Sequence, residues 1–129
     1  MAPDSSPERR RILVVDDEPH IGRIIQFKLE RGPYDVVLAQ DAVAALNLLR
    51  ESQPLDLVLL DIMLPRISGI ELLAQLRRLP HRKHLPVIML TAKGNETDRE
   101  QAEALGVSDF IVKPFSPKRL LARINELFG

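Results

Sequence analysis

The chain has 129 residues, 45% apolar and 28% charged, the composition of one ordinary globular domain with enough material for a buried core. Lys plus Arg and Asp plus Glu both number 18, so no basic excess is present to clamp nucleic acid. Cysteine is absent, which excludes disulfides, thiolate nucleophiles and cysteine zinc sites. Apolar stretches of four or five residues fall far short of the roughly 20 needed for a membrane helix.

Residues 1–10 hold Pro3, Pro7 and mixed charges and lack the apolar region of a signal peptide. They are expected to form a flexible polar leader on a cytoplasmic domain spanning 11–129, with Arg9, Arg10 and Arg11 solvated. Strands are predicted over Ile12–Asp16, Tyr34–Ala39, Leu55–Asp61, Pro86–Thr91 and Ser108–Val112. Most are nearly continuous aliphatic runs, as strands covered on both faces should be.

Helical patterns lie between and after these runs. The first spans about Pro19–Arg31, with Ile21, Ile24, Ile25 and Leu29 on one face. The second is capped by Asp41 and carries Ala45, Leu46, Leu48 and Leu49; the third follows Ser68-Gly69 with Leu72, Leu73, Leu76 and Leu79. The fourth, Glu96–Leu105, offers only Ala102, Ala104 and Leu105 to a core and should dock weakly. The last opens with Ser116 as N-cap and Pro117 in the first turn, and presents Leu120, Leu121, Ile124, Leu127 and Phe128. Five successive βα units predict an α/β, doubly wound parallel sheet with helices on both faces.

In such a sheet, ligands bind beyond the carboxyl ends of the strands. There the sequence puts Asp16-Asp17-Glu18, Asp61, Thr91 and Lys113-Pro114. Singly, each has a plain reading: Asp17 as a helix N-cap, Asp61 as a turn residue. Together they imply chemistry. Clustered carboxylates repel and would take up a proton without a cation. A hard ion such as Mg²⁺ relieves them, and a lysine beside that ion makes sense once a phosphoryl group arrives. Asp61 could then accept the group as an aspartyl phosphate.

The segments ILVVDDEPHI, LVLLDIMLPRISGIELL, PVIMLTAKG and DFIVKPFSPKRLLARI, in this order from Ile12 to near Phe128, resemble the receiver domains of two-component response regulators. The resemblance implies a flavodoxin-like (βα)5 fold with strand order 2-1-3-4-5. It implies phosphorylation at Asp61, and Mg²⁺ held by Asp16, Asp17, Asp61 and the Met63 carbonyl. Thr91 and Phe110 match the switch pair, Lys113 the phosphate-binding lysine, and Pro114 a cis proline.

The phosphoryl donor would be a histidine kinase, a phosphotransfer protein or acetyl phosphate. The chain would catalyse only its own phosphorylation and dephosphorylation. Output would pass through the fourth helix, fifth strand and fifth helix to an effector domain or partner, with no membrane or direct nucleic-acid contact. The DIMLP and KPFSPKRLLAR segments look most like receivers of winged-helix transcription factors, which often dimerise on phosphorylation. Asp109 and Arg123 match paired positions there, whereas Arg119 stands where many carry Glu and would face Arg99. Met63 and Lys93 imply an intermediate phosphoryl lifetime.

A haloacid-dehalogenase-type phosphatase would need an acid where Met63 stands. A flavodoxin-like carrier needs a Ser/Thr-rich loop in place of Asp16-Asp17-Glu18, and a nucleotide enzyme needs a GxGxxG or Walker loop, which the sequence lacks. A receiver-like scaffold that is never phosphorylated remains as the rival. His20, His81 and His84 are expected to be solvated.

Overall fold

The computed structural model describes residues 9–92 and 96–129. In chain order these form β1 (Arg10–Val15), α1 (Pro19–Glu30), β2 (Tyr34–Ala39), α2 (Ala42–Arg50), β3 (Leu57–Asp61), α3 (Gly69–Arg78), β4 (Val87–Thr91), α4 (Glu96–Ala104), β5 (Asp109–Val112) and α5 (Pro117–Phe128). A 3-10 turn at Pro80–Arg82 separates α3 from β4. The strands make one parallel sheet in the expected order, β2-β1-β3-β4-β5.

Alternate strand residues feed two cores. Leu13, Val15, Val58, Leu60, Val87 and Met89 face α2 and α3, while Ile12, Val14, Leu57, Leu59, Ile88 and Leu90 face α1 and α5. Burial on both faces explains the continuous aliphatic runs, and each fully buried Leu or Ile contributes about 1.5–3 kcal/mol. Two helices begin at the expected caps, Asp41 accepting from the Ala44 amide at 2.8 Å and Ser116 from Arg119 at 3.0 Å, and Ser68 caps α3 by accepting from Glu71 at 3.2 Å. The N-cap of α1 is Glu18, whose side chain makes no capping bond.

Several expectations need correction. In α1 the buried line is Gly22, Ile25 and Leu29, so Ile24 sits on the helix flank and is 48% exposed. Leu127, in the last turn of α5 beyond buried Ile124, is 37% exposed. Ala104 is exposed too, leaving Ala102 as the one buried residue of α4.

Arg9 and Arg10 are exposed as expected, but the arginine run at the start of β1 also makes specific contacts. Arg9 pairs with Asp35 at 2.7 Å and donates to the Tyr34 carbonyl at 2.6 Å; Arg10 stacks over Phe128; and Arg11 hydrogen-bonds Gln53. The strand begins at Arg10, two residues ahead of the expected Ile12, and ends at Val15, one short of the expected Asp16. His81 is also bound. Its Nε2 lies 2.9 Å from the Leu49 carbonyl and 3.1 Å from that of Glu51, so this nitrogen carries the proton. Both carbonyls belong to the end of α2, where helical acceptors lack intrahelical partners.

Candidate functional site

The chain moves from β1 outward to β2, then crosses back over β1 to β3, so the winding reverses between β1 and β3. A crevice opens at the carboxyl ends of those two strands. Backbone bonds extend the sheet slightly past its formal ends: Asp16 N–H donates to Ala39 at 3.1 Å, Ile62 N–H to Leu90 at 3.0 Å and Lys113 N–H to Thr91 at 2.7 Å. These bonds fix Asp16, Asp61, Thr91 and Lys113 on one rim.

The side chains of Asp16, Asp61 and Lys113 meet. Lys113 Nζ lies 2.9 Å from Asp61 Oδ2 and 3.0 Å from Asp16 Oδ2, joining both carboxylates. Asp16, Asp61 and Thr91 are buried, with residue exposures of 3%, 3% and 1%. The second oxygens are also engaged: Asp61 Oδ1 accepts the Met63 amide at 3.0 Å, and Asp16 Oδ1 the Glu18 amide at 2.9 Å. Asp61 is thus a turn residue and a lysine partner at once. Thr91 Oγ1 donates to the Ala92 carbonyl at 3.1 Å. Asp17 is exposed and is not the N-cap of α1.

Burial pushes the Asp61 pKa above the ordinary carboxylate value, and Asp16 adds to the rise; the bonds from Lys113 and Met63 only partly counter it. For Lys113 burial acts downward, but its bonds to Asp61 and Asp16 prevail and hold its pKa above the ordinary lysine value. The ammonium is therefore charged across the neutral range.

Asp16, Asp17 and Glu18 offer carboxylate oxygens that all lie within 4.8 Å of one another. This all-oxygen, anionic donor set suits a hard divalent ion such as Mg²⁺. Asp61, expected among the ligands, is outside that close group and is tied to it through Lys113. The Lys113-Pro114 peptide bond is cis.

Phe110 is half-buried in β5, packs against the α2–α3 core and lies 4.6 Å beneath the Arg99 guanidinium of α4. Asp109 and Arg123, expected to serve a dimer, pair with each other within the chain. Lys93 lies outside the described residues.

Sequence reading missed Gly69 as a site residue. A Cβ there would stand 2.3 Å from the Asp61 carbonyl oxygen and 2.8 Å from Ile62 Cα. The start of α3 can therefore press on the end of β3 only with glycine in place. The Ser68-Gly69 pair signalled a helix start, while the close approach exists only in three dimensions.

The fold and rim define a phosphoacceptor signalling domain. A sequence model of the response regulator receiver domain matches residues 12–125, and the chain belongs to that family. It is 49% identical over 118 residues to the phosphate regulon transcriptional regulatory protein PhoB of Escherichia coli. It is 43% identical over 118 residues to the alkaline phosphatase synthesis transcriptional regulatory protein PhoP of Bacillus subtilis. Both alignments cover 92% of this chain, and 51% and 48% of those proteins, so the chain spans about half the length of the curated relatives it matches.

Among solved structures, a CheY-like receiver domain protein of Methanospirillum hungatei superposes with a TM-score of 0.85 at 33% identity, covering 92% of this chain and 93% of that one. Chemotaxis response regulator CheY4 of Vibrio cholerae gives 0.85 at 27% identity, covering 92% and 98%. No helix among the described residues is long and apolar enough to cross a membrane.

Proposed function

We propose that the chain takes a phosphoryl group onto Asp61 from a phosphohistidine of a histidine kinase or phosphotransfer protein. The observation that carries this reading is Lys113, held by buried Asp61 and Asp16 at the sheet rim beside Thr91. An Asp61 carboxylate oxygen forms a bond to phosphorus as the P–N bond breaks, and the electron pair leaves with the imidazole. Lys113 shifts from the carboxylate to a phosphoryl oxygen, and Thr91 gives up its bond to Ala92 to donate to another. Asp16 and Asp17, with Asp61 and the Met63 carbonyl, would hold Mg²⁺, which when bound neutralises charge on the phosphoryl oxygens. The domain thereby promotes its own phosphorylation and, with water in place of the donor, its own dephosphorylation. Met63 and Lys93 set an intermediate lifetime.

Withdrawal of Thr91 toward the phosphoryl group makes room for Phe110 to turn inward. The weakly anchored α4 then resettles, and the α4–β5–α5 face signals to an effector domain or partner. PhoB and PhoP are transcriptional regulatory proteins by name, which favours a transcriptional output for a longer protein containing this chain. Arg119 opposite Arg99 disfavours the symmetric dimer as its route.

Incubation with acetyl phosphate and Mg²⁺, read by mass spectrometry, tests the proposal. Wild type gains one phosphoryl mass and Asp61→Asn gains none; equal labelling of both, or of neither, overturns it.

A further inference from the structure

The carboxylate of Glu18 lies 3.9 Å from Lys113 Nζ, outside hydrogen-bond range but within ion-pair range, and is 52% exposed. Glu18 occupies the N-cap position of α1 yet makes no capping bond. Its carboxylate stands near Lys113 and the carboxylates of Asp16 and Asp17 instead. Glu18 and Lys113 both line a recess whose other walls, Ile21, Ile24, Phe115 and Pro117, are apolar. Solvent shields the carboxylate less against those walls, so its charge acts further.

Formal charge sets this residue apart. Asp16, Asp17 and Asp61 carry three negative charges, which a divalent ion and Lys113 balance. Glu18, which belongs to the same close acidic group as Asp16 and Asp17, adds a fourth negative charge beyond that balance. The geometry points to Glu18 as a specificity-determining residue that selects phosphoryl donors by charge, disfavouring dianionic small molecules relative to donors of lower charge. A phosphoramidate leaves as a neutral amine and arrives at neutral pH as a monoanion; an acyl phosphate arrives as a dianion and leaves as a carboxylate. In both cases the new bond joins Asp61 oxygen to phosphorus, and the leaving group departs with the electron pair of the broken P–N or P–O bond.

This inference rests on phosphorylation at Asp61, and its test has one arm that does not. Initial phosphorylation rates with acetyl phosphate and with phosphoramidate are measured at neutral pH and saturating Mg²⁺ for wild type, Glu18→Gln and Glu18→Asp. One unit charge near a protein surface predicts that Glu18→Gln raises the acetyl phosphate to phosphoramidate rate ratio by about three- to tenfold. High salt should narrow that difference. In the second arm, Mg²⁺ is titrated without any donor and followed by amide NMR shifts. Loss of a nearby negative charge should weaken the ion's binding several-fold in Glu18→Gln.

The opposed signs are diagnostic, because a merely distorted site would impair donor use and ion binding together. Glu18→Asp keeps the charge and should stay near wild type in both arms. A ratio unchanged in Glu18→Gln, parallel loss in both arms, or Glu18→Asp behaving as Glu18→Gln each overturns the inference. If neither donor labels the wild type, the phosphoacceptor reading fails and the donor-selection claim falls with it, while the Mg²⁺ arm still reports the charge of Glu18.

Discussion

Lys113 Nζ and Asp61 Oδ2 stand 2.9 Å apart and so link the end of β3 to the turn after β5, two strands away in the sheet. Asp16 takes the same ammonium from β1, so one cation holds three strand ends together. Such a knot is electrostatically poised. Two buried carboxylates share one lysine, and the anion left short of compensation carries the cost.

That cost appears in the titration of Asp61. Its folded-state pKa lies above its unfolded value, mainly through burial, so its ionisation disfavours the fold. The associated stability is present at acid pH and lost as pH rises through the raised pKa. Asp61→Asn should therefore be more stable than wild type at neutral pH by about 1 kcal/mol. The advantage should shrink as pH falls toward the unfolded carboxylate pKa. Lys113, also raised, works on the alkaline side: its contribution is complete below the ordinary lysine pKa and is lost as pH climbs through the raised one. Urea titrations across pH check both; an Asp61→Asn gain that grows on acidification would contradict the assignment.

Gly69 brings the start of α3 against the carbonyl of Asp61 itself. A methyl group 2.3 Å from that oxygen cannot be accommodated without moving backbone, since both neighbours are main-chain atoms. Gly69→Ala should cost about 2–3 kcal/mol and slow phosphorylation by displacing Asp61. Gly22→Ala makes a fair comparison, because its new methyl would meet only the flexible Leu38 side chain at 3.4 Å. Equal destabilisation by the two would remove the role given to Gly69.

These two positions show what was legible in the sequence. Aliphatic runs, caps at Asp41 and Ser116, and helical spacing are local signals. They fixed the sheet, its helices and the rim on which Asp16, Asp61, Thr91 and Lys113 meet. Which flank of α1 is covered depends on the angle at which the helix lies on the sheet, so Ile24 was misplaced. The bonds of Arg9, His81 and Arg82 run to carbonyls far away in sequence, and no local pattern announces them.

Arg99 over Phe110 joins two elements of the output face. Ala102 is the only buried residue of α4, and this contact joins the helix to β5. A partly buried cation over a phenyl ring contributes roughly 0.5–1 kcal/mol. Arg99→Ala should speed amide exchange in α4 by about three- to fivefold while leaving β1 and β3 unchanged. Arg99→Lys should fall between the two. Uniform acceleration across the sheet would instead mark a global loss of stability.

Arg82 presents the opposite situation, a buried cation with no carboxylate among its bonded partners. Its residue exposure is 4%; Nε donates to the Leu49 carbonyl at 3.0 Å, and Nη2 to Glu51 at 2.8 Å and Gln53 at 2.7 Å. These acceptors lie at and just beyond the carboxyl end of α2, where the helix dipole favours a positive charge. Burial holds the Arg82 pKa below the ordinary arginine value, with Arg11 adding to the fall, yet the group remains ionised at neutral pH. Arg82→Met fills similar volume but leaves the Gln53 carbonyl without its donor and the Leu49 and Glu51 carbonyls with His81 alone, and should cost about 1–3 kcal/mol. Because the contacts lie at the end of the sheet remote from Asp61, phosphorylation by acetyl phosphate should proceed at close to the wild-type rate in the folded variant. Denaturant unfolding with labelling at low temperature measures both quantities. A stable variant with impaired labelling would mean that the α2 terminus is coupled to the phosphorylation site after all.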